Sequence, residues 1–533
     1  MKILSDRIVW DEEDWLGGLV PQARLNAPIS MGAGAAYQRN VNPFRRIGAI
    51  APGLEPVSVT NIASITSVVG AGDVDYSGTV PYAYLVGGAL VHRLKLDDDT
   101  ISVAAPWPHT IVHHANVVAQ DLKVYNITNA VTSTSSTMAL YSFYDGTDGD
   151  VGAFDISSAL PVFYDNFLST QPIGGSVLTT DPHPMILGDD GVLYIGNGRT
   201  LLALDGEASG GSGGTLTTVL TLPRGTIIRS FTKYNDYLMI FTSRSNTVSG
   251  SYYRGTATAY LWNYLSQNFN FSYDLTDNLV TVGFNWLGIP GCFTYGRAAE
   301  GNGALSSKLK LFNGTKFEQV LEFPTAPPGH GGVEIHDGMI IWNCGDTTSH
   351  FIGSYGSPWG TRVNNSFNFW GEQGGDDLTL ATTGMCANLG GSKLYVSSGN
   401  GDPGGLETLS GGFGPMSATA SYFQGMTARL NFPFQTRGKI KSVKIHFRGV
   451  ATAGRTLELR LYADKVATYS IVFTGLGTFT DTTKEYFCDS SNKEFPYFHA
   501  IWPLLMWDTG TNSTDCPVVT KVEVFFESVK FTQ

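Results

Sequence analysis

The feature that most constrains this chain is a unit that returns about every 50 residues: a Gly- or Asx-rich turn followed by a short apolar strand. It reads Asp190-Gly191-Val192-Leu193-Tyr194-Ile195, then Asn235-Asp236-Tyr237-Leu238-Met239-Ile240-Phe241 and Pro290-Gly291-Cys292-Phe293. It continues as His336-Asp337-Gly338-Met339-Ile340-Ile341-Trp342 and Gly391-Ser392-Lys393-Leu394-Tyr395-Val396. Leu193, Leu238, Phe293, Ile340 and Leu394 serve as its anchors and keep a nearly even spacing. Two earlier copies, around Leu90 and Leu122, are irregular: they stand too close together, and the gap from Leu122 to Leu193 is too long. A repeat of this length holds a four-stranded sheet that cannot bury both faces alone. Stacking such sheets around an axis buries both and leaves only short edges. The repeat therefore predicts a β-propeller of about seven blades over residues 54–420.

Composition points the same way. Sixty-three glycines, 30 Phe and 24 Tyr accompany only 15% charged residues, against about 25% in ordinary soluble domains. Aromatic and β-branched residues fit a pleated, half-buried surface, and Gly, Asn and Asp supply turns. No window with a 3.6-residue period exceeds a turn or two, so the expected class is all-β. Residues 1–53 read as an extended N-terminal arm. Trp10, Trp15, Leu16 and Leu19, with Phe44, Arg45 and Arg46 further on, favour a strap that binds a partner over a free tail. Residues 421–533 alternate cleanly: Val443, Ile445 and Phe447 against Lys444, His446 and Arg448, and Leu457, Leu459 and Leu461 against Glu458 and Arg460. That period of two predicts a C-terminal β-sandwich, jelly-roll-like. The Gly-rich stretch 399–414 just before it reads as a last-blade loop or linker.

The formal net charge of −12 is unevenly spread, with 13 Lys/Arg against 10 Asp/Glu from Gly411 onward and −15 over residues 1–410. An acidic body argues against nucleic-acid binding, which needs cationic patches. Five separated cysteines, Cys292, Cys344, Cys386, Cys488 and Cys516, fit neither a disulfide framework nor a zinc site. The N-terminus meets Asp6 and Asp11 before any apolar core forms, so neither a signal peptide nor a membrane span is expected. Gly210-Gly211-Ser212-Gly213-Gly214 matches the nucleophile-elbow pattern without its strand and helix context. Asp145-Gly146-Thr147-Asp148-Gly149-Asp150 could offer oxygens to calcium, but Asp-Gly pairs also turn hairpins. Asp97-Asp98-Asp99 reads as a solvated turn. His109, His113 and His114 lie close together, but His113 and His114 would face opposite ways on one strand and could not chelate one ion from it. No cofactor-binding motif and no catalytic signature emerges, so the expectation is a protein that is not an enzyme.

The opening residues, Trp10 and Trp15-Leu16-Gly17-Gly18-Leu19, then Gln38-Arg39-Asn40-Val41-Asn42-Pro43 and Arg46-Ile47-Gly48 to Pro52-Gly53, resemble the start of tailed-bacteriophage structural proteins. The plan is also similar to the nozzle proteins of podoviral tails, which carry a propeller around the DNA exit channel. The resemblance implies a virion component, made in the host cytoplasm and assembled with tail, portal or capsid subunits as a symmetric homo-oligomer. It transfers no catalytic residue. The alternative is a receptor- or carbohydrate-binding tail protein in which Trp262, Trp286, Trp342, Trp359 and Trp370 form stacking platforms for a host-surface glycan.

Overall fold

The computed structural model describes, apart from isolated positions, residues 57–112, 117–128, 135–144, 149–165, 182–205, 215–244, 257–297, 305–323, 327–345, 350–356, 366–373, 384–389, 393–398 and 405–408. It also describes 2–12, 37–39, 41–42 and 51–52, and toward the C-terminus 424–426, 430–431, 436–448, 457–463, 467–474, 480–488, 500–507 and 518–530. The chain is a seven-bladed β-propeller joined to a β-sandwich. Blades 1 to 6 are antiparallel meanders over residues 71–110, 118–164, 185–221, 227–274, 279–323 and 333–373, each in chain order from its first strand to its last. Blade 7 takes three strands from residues 386–408 and its fourth from Val57–Ser58. The ring is therefore closed by the segment that precedes blade 1, which removes an open edge. Among the described residues the only helix is a 3₁₀ turn, Ile62–Ser64.

The five regular anchors all mark the second strand of a blade, Leu193, Leu238, Phe293, Ile340 and Leu394 falling on or beside that strand in blades 3 to 7 in turn. The irregular pair has a simple cause. Leu90 opens the third strand of blade 1, and Leu122 lies on the first strand of blade 2. The true second strands there are Tyr82–Gly87 and Ser135–Tyr144. Ser135–Tyr144 follows a Ser/Thr-rich stretch without the Asp-Gly or Asn-Asp signal that marks blades 3, 4 and 6.

Second strands are near-continuous apolar runs because both of their faces are buried. Leu238 and Ile240 pack toward blade 3 while Met239 and Phe241 pack toward blade 5. Ile340 and Trp342 pack toward blade 5, and Met339 and Ile341 toward blade 7. One apolar cluster fills each of the seven seams between neighbouring blades. Glycine makes room for the largest side chains. A Cβ on Gly353 would lie 2.3 Å from the Trp342 ring, and one on Gly283 2.1 Å from Phe241.

The sandwich draws on both ends of the chain. One sheet orders Lys2–Glu12, Val518–Lys530, Thr436–Arg448 and Asp481–Phe487. The other orders Tyr37–Arg39, Gln424–Met426, Ala500–Trp507, Leu457–Ala463 and Ala467–Phe473. The predicted alternation holds: Val443, Ile445, Phe447, Leu457, Leu459, Leu461, Val522 and Val524 are buried. The segment read as an extended arm strapped to a partner instead supplies one strand to each sheet of its own sandwich, and Trp10 sits opposite Val524 in the register. No helix among the described residues is long and apolar enough to cross a membrane.

Candidate functional site

The first strand of each blade lines the axis and has a sheet partner on one side only, so part of its backbone N–H groups would go unpaired. Side chains from the preceding blade fill several of these vacancies. Asp73 Oδ2 of blade 1 accepts from Val124 N of blade 2 at 2.9 Å. Asp121 Oδ2 of blade 2 accepts from Met185 N of blade 3 at 2.7 Å. Ser230 Oγ of blade 4 accepts from Gly283 N of blade 5 at 2.9 Å, and Glu334 Oε2 of blade 6 from Asn388 N beyond the first strand of blade 7 at 3.0 Å.

Around these clasps the charged residues converge. Asp121 is 1% exposed. Its Oδ2 also meets His330 Nε2 at 2.7 Å, and its Oδ1 lies 3.4 Å from Lys123 Nζ. His330 stands in the Pro327-Pro328-Gly329-His330-Gly331-Gly332 connection from blade 5 to blade 6. Blade 2 is adjacent to neither, so this bond crosses the axial region. The same connection accepts a hydrogen bond from Cys386 N of blade 7 at Gly331 O, 2.8 Å. It also presses so closely on Gly70 that a Cβ at Gly331 would lie 1.9 Å from the Gly70 carbonyl oxygen. Only glycine fits this crossing.

The electrostatics follow from burial and neighbours. Burial alone would raise the Asp121 carboxyl, but Lys123 and His330 outweigh it and hold it at about 2. Burial opposes the charge on Lys123, yet Asp121, Asp73 and Glu334 together raise its pKa. Glu334 goes the other way: burial lifts it above the usual carboxylate range despite the Asn388 and Ile335 N–H groups. The cluster therefore pairs a locked Asp–Lys ion pair with a carboxyl that protonates more readily than usual. His330 Nδ1 is buried with no hydrogen-bond partner. Such an arrangement fastens the blades and can hold one further polar group at Glu334 or His330.

A second polar knot lies between blades 1 and 2. His109 Nε2 meets Asp165 Oδ1 at 2.9 Å, Tyr141 donates to the same oxygen at 2.5 Å, and Val112 N donates to Asp165 Oδ2. The imidazole stacks on Phe163 at 3.7 Å. His113 and His114 lie outside the described residues, and among the described residues no group of three His, Cys, Asp or Glu is placed to hold a metal ion. Asp145 to Asp148, Trp15, Leu16, Leu19, Phe44, Arg45 and Arg46 also lie outside them, as does the 210–214 loop. Asp99 is more than a solvated turn. It receives Lys393 at 2.8 Å and Tyr395 at 2.5 Å across the seam that closes the ring. Cys292, Cys386 and Cys488 are buried thiols outside any disulfide.

The glycan-platform residues divide. Trp262, Trp286 and Trp342 are fully buried at blade seams, and Trp262 and Trp286 donate their indole N–H to the Ser266 and Gly338 carbonyls. None of the three can stack on a sugar. Trp359 lies outside the described residues, and Trp370 belongs to the last strand of blade 6. Sequence reading missed the axial cluster. Its visible trace was Asp121 and Lys123 two apart in an apolar strand, but their partners come from residues about 200 positions away in the chain.

No protein-family model matches the chain, and no curated protein matches it. Solved structures do. An exo-β-1,3-galactanase from Phanerochaete chrysosporium with galactose aligns at 12% identity and TM-score 0.32, over 88% of this chain and 99% of that one. The Dos1 propeller aligns at 12% identity and TM-score 0.38, over 68% of this chain and 95% of that one. The Cps50 (Swd1) β-propeller domain from Myceliophthora thermophila aligns at 8% identity and TM-score 0.37, over 64% and 96%. These are likenesses of fold alone. They nevertheless correct the expectation of a non-enzyme: similar folds include enzymes such as the galactanase. That expectation rested on missing motifs, and linear motifs do not register a site assembled from strands of separate blades.

Proposed function

We propose that the chain is a structural component of a tailed-phage virion, a tail or portal-proximal propeller protein. The observation that carries the reading is the way strands from near both chain ends are built into one sandwich while the propeller is closed on itself. The result is a two-module chain whose terminal strands are tied down, suited to repetition in an assembly. The sparse charge of the chain fits large interfaces, whose cores are depleted of charge and enriched in aromatics. The Asp121–His330 crossing refines the role. DNA would pass beside such a propeller or through a ring of copies, not along its axis.

Strand Lys2–Glu12 is occupied within its own sandwich, which moves the docking candidates to Trp15, Leu16, Leu19, Phe44, Arg45 and Arg46 beyond it. Mass spectrometry of purified particles of the encoding phage should detect the chain, and its absence ends the proposal. Replacing Trp15, Leu16 and Leu19 together by Ser should reduce incorporation while leaving the melting temperature unchanged. Normal incorporation would remove the docking role. The receptor- or carbohydrate-binding alternative loses its three buried tryptophans, and binding of the recombinant protein to host cells, blocked by free sugar, would restore it.

A further inference from the structure

All first strands of a propeller run the same way along the axis, so turns between first and second strands and between third and fourth strands emerge on one face of the disc. That face is unlike the other. Tyr76, Leu160, Leu265 and Leu287 lie on its turns in blades 1, 2, 4 and 5, and Phe271 opens the last strand of blade 4 beside them; each is more than half exposed and Leu265 89% exposed. The opposite face exposes Val112 and Val118. Other turns of the same face carry exposed carboxylates: Asp97 and Asp98 of blade 1, Asp189 and Asp190 of blade 3, Asp236 of blade 4 and Asp337 of blade 6. Lys95 and Lys233 neutralise part of this charge.

The complementary surface is present in the same chain. Residues 54–410 carry 15 Lys/Arg against 31 Asp/Glu, whereas the remainder, which supplies the sandwich, carries 19 against 15. The contrast is concentrated on one strand. In Thr436–Arg448 the inward positions Ile440, Val443, Ile445 and Phe447 are buried, so Lys439, Lys441, Lys444, His446 and Arg448 make up the outward face. Glu527, Glu485 and Glu523 pair with Lys441, Lys444 and His446 along that stripe. Phe487, opposite Ser442 in the neighbouring strand, is 55% exposed beside it.

We infer that the acidic, apolar face of one propeller docks on the basic outward sheet of the sandwich of a second copy. The contact is head-to-tail: two different patches meet, so it propagates into a ring if the rotation closes and into a filament if it does not. The apolar turns supply the buried contact and the opposed charges set register and partner. The inference deepens the assembly reading above and names its self-contact. It has an independent readout, because self-association can be measured without a virion.

The test uses the full chain in sedimentation velocity over a range of concentration and salt. The wild type should associate, less so at high ionic strength, where exposed charges are screened. A propeller-face variant, Asp236→Lys with Leu265→Lys, and a sheet variant, Lys441→Glu with Arg448→Glu, should each be monomeric, with circular dichroism and melting temperature showing that they fold. Mixed in equal amounts, they should form a dimer and stop, because each retains one intact patch that matches the other's. A wild type that stays monomeric throughout overturns the inference and leaves the virion reading standing. So does a wild type that associates while either folded variant associates equally well, or a mixture that remains monomeric. A chain absent from particles but showing the mixed dimer would overturn the virion reading alone.

Discussion

His92 should make the ring acid-labile at its closing seam. It lies on the third strand of blade 1, paired with Leu85, and shares its side of the strand with Leu94. Both leucines belong to the cluster between blades 1 and 7, with Val59, Ile65 and Leu406. The imidazole is fully buried, and neither ring nitrogen has a hydrogen-bond partner. Burial lowers its pKa from 6.5 to about 4, so the folded state holds it neutral where the unfolded chain would protonate it. Above pH 6.5 both states are neutral and nothing is lost. Below that, the unfolded state binds the proton first, and stability falls until about pH 4, where the folded state protonates too. At 1.36 kcal/mol per pH unit the full loss is about 3 kcal/mol. Urea unfolding of wild type and His92→Leu between pH 7 and pH 4 isolates this contribution, since the other titrating groups are common to both. The wild type should lose about 3 kcal/mol more than the variant over that interval. Equal losses would refute the reasoning, for they would mean that the imidazole reaches water or a partner in the folded state.

Three further outcomes follow from the same geometry. Gly353→Ala should destabilise blade 6, because the new methyl group meets the Trp342 ring at 2.3 Å and overpacking in a closed seam costs about 1–3 kcal/mol or more; thermal unfolding reads it directly. Asp121→Asn should lower stability by about 1–3 kcal/mol at neutral pH, because a neutral amide at this buried position loses the charge-assisted hydrogen bonds with Met185 N and His330 and the pairing with half-buried Lys123, and the deficit should shrink as the wild type loses its own carboxylate toward pH 2 in acid denaturation. Removing residues 1–12 takes away the outer strand of one sandwich sheet and bares the Val518–Lys530 edge, so soluble yield should fall and native-state hydrogen exchange should rise in that strand, with the seven blades unaffected.

Much of the fold could be read from local signals, because in a propeller the repeat is local. A blade is a continuous meander, so a turn signal and an apolar run place its second strand without knowledge of distant residues. Reading failed where the connection lacked an Asp-Gly or Asn-Asp pair, as before Ser135–Tyr144, and the neighbouring strand around Leu122 was taken as the anchor. The alternation of Thr436–Arg448 likewise revealed a sheet with one buried face. What that pattern could not reveal was the neighbour. Lys2–Glu12 pairs with Val518–Lys530, and nothing in either segment specifies a partner at the opposite end of the sequence. The axial cluster was hidden for the same reason. Asp121 lies on blade 2, Glu334 on blade 6 and His330 on the connection from blade 5 to blade 6, and their convergence is a property of the closed ring. The tryptophans illustrate the converse: the burial of Trp342 depends on Gly353 in the adjacent strand, which makes space that an isolated aromatic residue does not advertise.

The connectivity also limits how the chain can be divided. Val57–Ser58 completes blade 7 against Gly405–Thr408, and Lys2–Glu12 and Tyr37–Arg39 complete sheets whose other strands begin at 424 and 436. The N-terminal segment is made first and placed last. Until the final strand Val518–Lys530 exists, Lys2–Glu12 has no sheet to join, so both modules carry pairings of very long loop closure, which slows their formation. Cutting the chain at the compositional boundary near residue 420 would therefore leave the sandwich without two of its strands, while keeping the propeller closed as long as residues 57–58 remain. The segment 1–53 is better regarded as a tie between the modules than as an appendage to either. A contact that joins copies through propeller and sandwich would load two links within each copy, since residues 40–56 run from the sandwich strand Tyr37–Arg39 to the closing strand of blade 7 and residues 409–423 run from the third strand of blade 7 to Gln424–Met426.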